Sequence, residues 1–242
     1  MPELNLSQQT KLKLDEFVKH VKNLYGGDLV SIILYGSASS GEFVEERSDI
    51  NLLVILENAS IINISRIGPL INSGKFKTFE PLFFSKADLS SSADVFPIEF
   101  LDMRENYTVL FGIDLLKDLP IELRNLRFQC EHELKSKLIL MREAFIRINR
   151  NTSALQKMLF RSFTSVIHIT RNVLRLKNKV PNYLKKELLT QLTDEFQIKH
   201  EVWSRILELK NNRSKIDREE LSALYIDFYA DLEKISRFVD KL

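Results

Sequence analysis

All seven glycines of this 242-residue chain stand ahead of Pro120, and none follows it. Glycine costs a helix interior about 1 kcal/mol relative to alanine and is the usual residue just past a helix end, so a long stretch without it favours uninterrupted helices. The pattern therefore predicts two parts: a mixed α/β region over residues 1–120 and an all-α region over 121–242. In the second part apolar residues recur at helical spacing over Leu123 to Asn149, Thr152 to Asn178, Asn182 to Lys210 with at least one break, and Asp217 to Lys241. Asn178, Pro181 and Asn211-Asn212 mark the turns of what should be an antiparallel helical bundle.

Charge divides at the same place. Residues 1–120 carry 11 Lys and Arg against 17 Asp and Glu, and residues 121–242 carry 24 against 16. An acidic half suits a metal and a basic half suits phosphate, although a solvated bundle surface accounts for the same numbers. Cys130 is the only cysteine, which excludes an internal disulfide and a cysteine-built zinc site within one chain and fits a reducing, cytoplasmic setting. The first residues lack the apolar core of a signal peptide, and no apolar run approaches the roughly 18 residues of a membrane span, so a soluble protein without membrane contact is expected.

In the first half, residues 7–25 form an amphipathic helix pattern that stops at Gly26-Gly27. Leu29 to Tyr35 and Asp49 to Leu56 are apolar runs that predict buried strands. The loop Gly36 to Ser48 between them is too polar for a core. Residues 59–72 suggest a helix interrupted at Gly68-Pro69, and Lys77 to Ser85 a strand that Pro81 places at an edge or a bulge. A short polar turn or helix, Lys86 to Asp94, leads to Phe96–Met103, expected as a strand in which Glu99 is a lone acid in a run otherwise built for burial.

The chemistry converges on Tyr35 to Leu56. Gly36 permits close backbone approach, Ser37 supplies a hydroxyl, and a turn of this kind cradles phosphate. In an extended strand Asp49 and Asn51 share a face, which sets two oxygen ligands for a hard cation such as Mg²⁺ at the strand's beginning. Glu99, on a neighbouring strand, would add a third. Asp102 would then face away as a surface acid.

Gly36-Ser37, then Asp49-Ile50-Asn51 opening an apolar strand, then Glu99, resembles the pattern of the nucleotidyltransferase superfamily with the DNA polymerase β-like fold, and within it the kanamycin- and spectinomycin-type or minimal nucleotidyltransferases. The resemblance covers roughly residues 30–105. It implies an α/β nucleotidyltransferase-like domain with a mixed sheet (1–120) and an appended helical bundle (121–242) that completes a nucleotide cleft. It further implies Mg²⁺-dependent transfer of a nucleoside monophosphate from an NTP, ATP foremost, to an acceptor hydroxyl on a small molecule, a protein or an RNA, with release of pyrophosphate. Asp49, Asn51 and Glu99 would be the metal-binding and catalytic set, with Gly36 and Ser37 on the phosphates. The chain departs from the pattern twice. Asn51 stands where the family has a second aspartate, which removes a negative charge from the metal site, and Ser40 stands where an arginine is frequent, with Arg47 nearby but not equivalent.

The second bundle helix places Arg161, Thr164, Ser165, His168, Arg171 and Arg175 on one face. Arg161 and His168 are the candidates there for contact with nucleotide phosphates or acceptor, against a merely solvated face. Their spacing also matches that of HEPN domains, helical bundles that partner minimal nucleotidyltransferases and in some cases cut RNA. The alternatives to an active enzyme are therefore a degenerate nucleotide-binding or antitoxin-like module and an RNA-cutting helical domain. A homodimer is compatible with either.

Overall fold

The first helix, α1 (Gln8–Tyr25), starts where the Ser7 hydroxyl accepts the Thr10 N–H and ends where Gly26 turns the chain at φ 53°. Its Leu14, Phe17, Val21 and Tyr25 are buried. Strands β1 (Leu29–Tyr35), β2 (Ile50–Leu56), β3 (Phe79–Ser85) and β4 (Tyr107–Gly112) form one sheet in the order β3-β2-β1-β4. β1 is antiparallel to β2 and β4, and β2 is parallel to β3. The computed structural model describes residues 6–40, 43–45, 48–182, 184–212 and 216–242. Arg47, singled out above, lies outside them.

The chain forms two units, Met1–Ile121 and Glu122–Leu242. In the first, α1 packs on one sheet face, where Phe17 meets Phe76 and Phe79 at 5.3 and 4.9 Å between ring centroids. The helices α5 (Lys86–Ser92) and α6 (Pro97–Glu105) cover the other face through Leu89, Phe100 and Met103, packed with Ile33, Leu53 and Ile55. β2 is apolar almost throughout because both of its faces are covered. Each large side chain so buried contributes about 1.5–3 kcal/mol. Short helices α2 (Ser37–Ser40), α3 (Ile61–Ser65) and α4 (Gly68–Ile71) complete the unit; the last two are separated at Arg66-Ile67, and Gly68-Pro69, expected to interrupt a helix, instead open α4.

One element corrects the sequence pattern. Phe96–Met103 is not a strand: it belongs to helix α6, with Pro97 in the first turn, where its fixed φ and missing N–H are tolerated. The apparent alternation of Phe96, Ile98 and Phe100 misleads, since Phe96 is 46% exposed while Pro97, Phe100 and Met103, three apart, line the buried face. Glu99 is consequently exposed at the helix start, where a carboxylate suits the helix dipole, and is not a buried acid. The alternation that turned Asp102 away from the site lapses with the strand. β4 follows at once, in a stretch the sequence pattern left without an element. Pro81 lies on β3, an edge strand, as proline requires.

The second unit consists of α7 (Leu123–Ile148), α8 (Thr152–Leu176), α9 (Lys185–Phe196), α10 (His200–Asn212) and α11 (Arg218–Val239). Gln197, in the left-handed region at φ 53°, makes the break between α9 and α10. Trp203 is fully buried, 4.8 Å from Phe228 and 5.9 Å from Phe163 between ring centroids. Asp231, with no exposed surface, accepts from the Lys199 N–H (2.8 Å), Trp203 Nε1 (3.1 Å) and Lys234 Nζ (2.8 Å). Burial without such partners would be costly. No helix among the described residues is long and apolar enough to cross a membrane.

Candidate functional site

Strand register assembles the site. Tyr35 of β1 pairs with Asn51 of β2, Asn51 pairs with Glu80 of β3, and Tyr35 pairs with Tyr107 of β4. Laterally paired residues share a sheet face. Glu80, Asn51, Tyr35 and Tyr107 thus form one row across all four strands, on the face opposite the one α1 covers. Burial first, and then the Glu80 charge, push the Tyr35 phenol above its ordinary pKa. Tyr107 Oη donates to Asp114 Oδ2 at 2.8 Å. Burial, then that bond, raise the Tyr107 phenol to about 12.

Gly36 follows Tyr35 with φ 74°, and a Cβ there would lie 3.1 Å from Asn51 Nδ2. Glycine is favoured by this backbone conformation, and it leaves the Asn51 amide room that a Cβ would tighten. Ser37 opens α2, in which the Ser39 and Ser40 N–H groups donate to the Gly36 carbonyl at 3.0 and 3.1 Å. Ser39 Oγ and Thr108 Oγ1 of β4 are hydrogen-bonded at 3.1 Å, and Ala38 is buried, which fix the turn to the sheet. Further along, the Ser48 N–H donates to Val44 O at 2.9 Å and the Val44 N–H to Ser48 Oγ at 3.1 Å. Thr10 of α1 donates to Glu45 Oε1 at 3.0 Å and ties this loop to the helix.

Asp49 is exposed just before β2, and the Ile50 N–H after it donates to Thr78 O at 2.7 Å, which draws the starts of β2 and β3 together. Ile50 is buried in the α1-side core, so the two-residue period returns Asn51 to the opposite face.

Gly36 therefore lies against Asn51 where β1 ends and β2 begins, with Ser37 and Asp49 as near neighbours of the two in the chain. Glu99 was expected beside them on a strand and stands instead on α6, whose Phe100 packs against Phe84 of β3 at 5.8 Å. Arg161 and His168 are exposed on α8, in the second unit, whereas Arg171 on the face assigned to them is buried. Among the described residues no group of three or more His, Cys, Asp or Glu is arranged to hold a metal ion. The donors on the Asn51 row and its approach are the Asp49 and Glu80 carboxylates and the Asn51 amide oxygen. Glu80 was missed in the sequence. Its signal was the one given to Glu99, a single acid in an otherwise apolar strand, but Pro81 beside it drew attention to the strand's edge.

The sheet order with β2 parallel to β3, helices on both faces and the Gly-Ser turn between β1 and β2 can be set beside solved folds. The spectinomycin adenyltransferase AAD(9) of Enterococcus faecialis, solved with ATP and spectinomycin, superposes with a TM-score of 0.56, covering 93% of this chain and 98% of that one at 10% identity. This is the nucleotidyltransferase fold. A nucleotidyltransferase-like protein of Exiguobacterium sibiricum covers 93% of the chain and 74% of its own at 14% identity, with a TM-score of 0.37 that is too low to bear on the fold. In sequence, a putative protein adenylyltransferase of Methanocaldococcus jannaschii is 49% identical over 53 residues, 22% of this chain. The match spans 35% of that relative's length. No protein-family profile matches the chain. Within the nucleotidyltransferase fold, the Glu80–Asn51 pair occupies the parallel strands and Gly36-Ser37 the turn facing them.

Proposed function

We propose that the chain transfers a nucleoside monophosphate from an NTP, with ATP the first candidate, to an acceptor hydroxyl, releasing pyrophosphate. The observation that carries this is the register placing Glu80 beside Asn51, next to the Gly36-Ser37 turn and following Asp49. Mg²⁺ is bound in such sites by one or two carboxylates together with substrate phosphates, and Asp49 with the Asn51 amide oxygen fits one ion of that kind. When bound, it would neutralise charge on the phosphates.

The chain's own groups supply the rest. The Ser37 hydroxyl receives a terminal phosphate, with Gly36 allowing close approach of the backbone. Glu80, exposed at the sheet edge, takes the proton of the acceptor hydroxyl as its oxygen bonds to the α-phosphorus. The bond from the α-phosphorus to the bridging oxygen breaks, and pyrophosphate leaves. Glu80 thus takes the part the sequence resemblance gave to Glu99. Protein hydroxyls and small-molecule hydroxyls are the acceptor classes to screen first, following the names of the archaeal relative and of the solved neighbour.

Thermal unfolding with millimolar Mg²⁺ and each NTP provides the test. A ligand at a hundred times its Kd adds about 2.7 kcal/mol, which raises the midpoint measurably. Asp49→Ala should abolish the rise, and Glu80→Gln should keep it while losing transfer of α-phosphate label. An unchanged midpoint with all four NTPs would sink the proposal. Asn51 favours one second reading, nucleotide binding without turnover, because an amide brings an oxygen but no charge. Pyrophosphate release by Asn51→Asp but not by the natural protein would establish that reading.

A further inference from the structure

We propose that Arg161, Thr164 and Ser165 of α8 with Lys210 of α10 form a site on the helical unit that binds the dianionic end of a phosphate monoester or free inorganic phosphate. These side chains and Phe160 line a pocket of about 430 Å³ that lies wholly within the second unit. Among the described residues neither Arg161 nor Lys210 is paired with a carboxylate, unlike Lys177, Lys199 and Arg205 of the same unit, and here the two cations line one pocket.

Lys210 is held in place by a neutral partner. Thr164 Oγ1 donates its proton to the Phe160 carbonyl at 2.9 Å and presents a lone pair that the Lys210 ammonium uses. The ammonium is thereby fixed against α8 without being neutralised. Burial first, and the Lys185 charge second, hold the Lys210 pKa below the ordinary lysine value. An uncompensated, partly desolvated cation with a second cation nearby is stabilised by an incoming anion. Arg161, exposed on α8 one turn before Ser165, offers a planar fork for two phosphate oxygens, and the Ser165 hydroxyl one further donor.

Charge selects the ligand. Two unpaired cations balance the two negative charges of a terminal phosphate, whereas a backbone diester carries one and would leave a cation unmatched. The ligand could be free phosphate or the 5′-phosphate of a nucleotide, which share this chemistry and differ in what they add beside Phe160.

The experiment uses the full chain carrying Asp49→Ala, in EDTA, so that binding at the first unit does not report. Inorganic phosphate, AMP and dimethyl phosphate are titrated at constant ionic strength while the Thr164 and Ser165 amide resonances are followed. Saturable shifts with phosphate and AMP, absent with dimethyl phosphate, are expected. Arg161→Gln with Lys210→Gln should weaken binding at least about tenfold, as loss of two charge-assisted hydrogen bonds requires. Both positions are exposed, and an unchanged circular dichroism spectrum and midpoint confirm that the double variant folds. AMP bound more tightly than phosphate assigns the nucleotide as the source, and equal affinity assigns free phosphate. Shifts reproduced by sodium chloride, equal binding of the diester, no saturation, or full binding by the double variant would each overturn the site.

Discussion

Asn51 on β2 and Glu80 on β3 stand side by side in parallel register, one neutral and one acidic. Replacing Asn51 by aspartate sets two like charges on neighbouring strands, an arrangement that is destabilising until a cation joins them. Without Mg²⁺, Asn51→Asp should lower stability by about 0.5–1 kcal/mol, a fall of a few degrees in midpoint for a chain of this size. With Mg²⁺ and ATP the order should reverse, and the variant should show the larger ligand-induced rise. Thermal scans with and without the metal check both halves; a variant indifferent to Mg²⁺ would mean that the pair does not face a cation.

Two glycines separate backbone strain from steric clash. Gly26 has φ 53° with open space where a Cβ would stand, and Gly112 has φ 80° with the Val30 carbonyl oxygen 1.9 Å from that position. Gly26→Ala should cost about 1–3 kcal/mol, the range for a residue in a sparsely allowed conformation. Gly112→Ala must displace backbone at the β1–β4 junction and should exceed about 4 kcal/mol or prevent folding of the first unit. Urea unfolding of the two variants side by side gives the comparison, and similar losses would contradict it.

Sequence legibility followed the burial pattern. β1 and β2 were legible because strands covered on both faces become continuous apolar runs, and the bundle helices because their apolar residues recur at helical spacing between turn residues. α6 was not, since a nine-residue helix holding Pro97, Ile98, Phe100 and Met103 contains both a two-residue and a three-residue period, and only its packing chooses. Of the site, Gly36, Ser37, Asp49 and Asn51 are local in sequence and visible as a motif. Glu80 reaches them through strand pairing, which no local pattern encodes.

Removing the Asp231 carboxylate strands three donors in the bundle core. Asp231→Ala should destabilise the helical unit by about 3 kcal/mol or more, because the Lys199 N–H, Trp203 Nε1 and Lys234 ammonium lose a shared acceptor. Asp231→Asn keeps an oxygen and should cost less. Trp203 is the only tryptophan, so its fluorescence during denaturant unfolding reports this unit directly. Equal stability of the alanine variant and the parent would refute a structural role for the network.

Alkaline pH should weaken the first unit in a defined window. The Tyr107 phenol is raised from 10.0 to about 12 in the folded chain, so it stays protonated there while the unfolded chain ionises. The stability it contributes is complete below pH 10 and is lost as pH rises from about 10 towards 12. Absorbance near 295 nm, the phenolate band, should show a late-titrating tyrosine that disappears in Tyr107→Phe. If Tyr107→Phe leaves both the titration and the alkaline unfolding curve unaltered, the phenol does not govern this window.

β2 lies between β1 and β3, so Asn51, the second residue of the strand, has paired neighbours on both sides. Amides of such a strand open to hydrogen exchange only with the global unfolding of their unit. A ligand meeting Asn51 and Glu80 consequently finds groups already fixed in position, and little of its binding free energy is consumed in ordering the sheet. Selectivity at this surface should then respond to side-chain replacement far more than to changes that loosen or stiffen the surrounding chain.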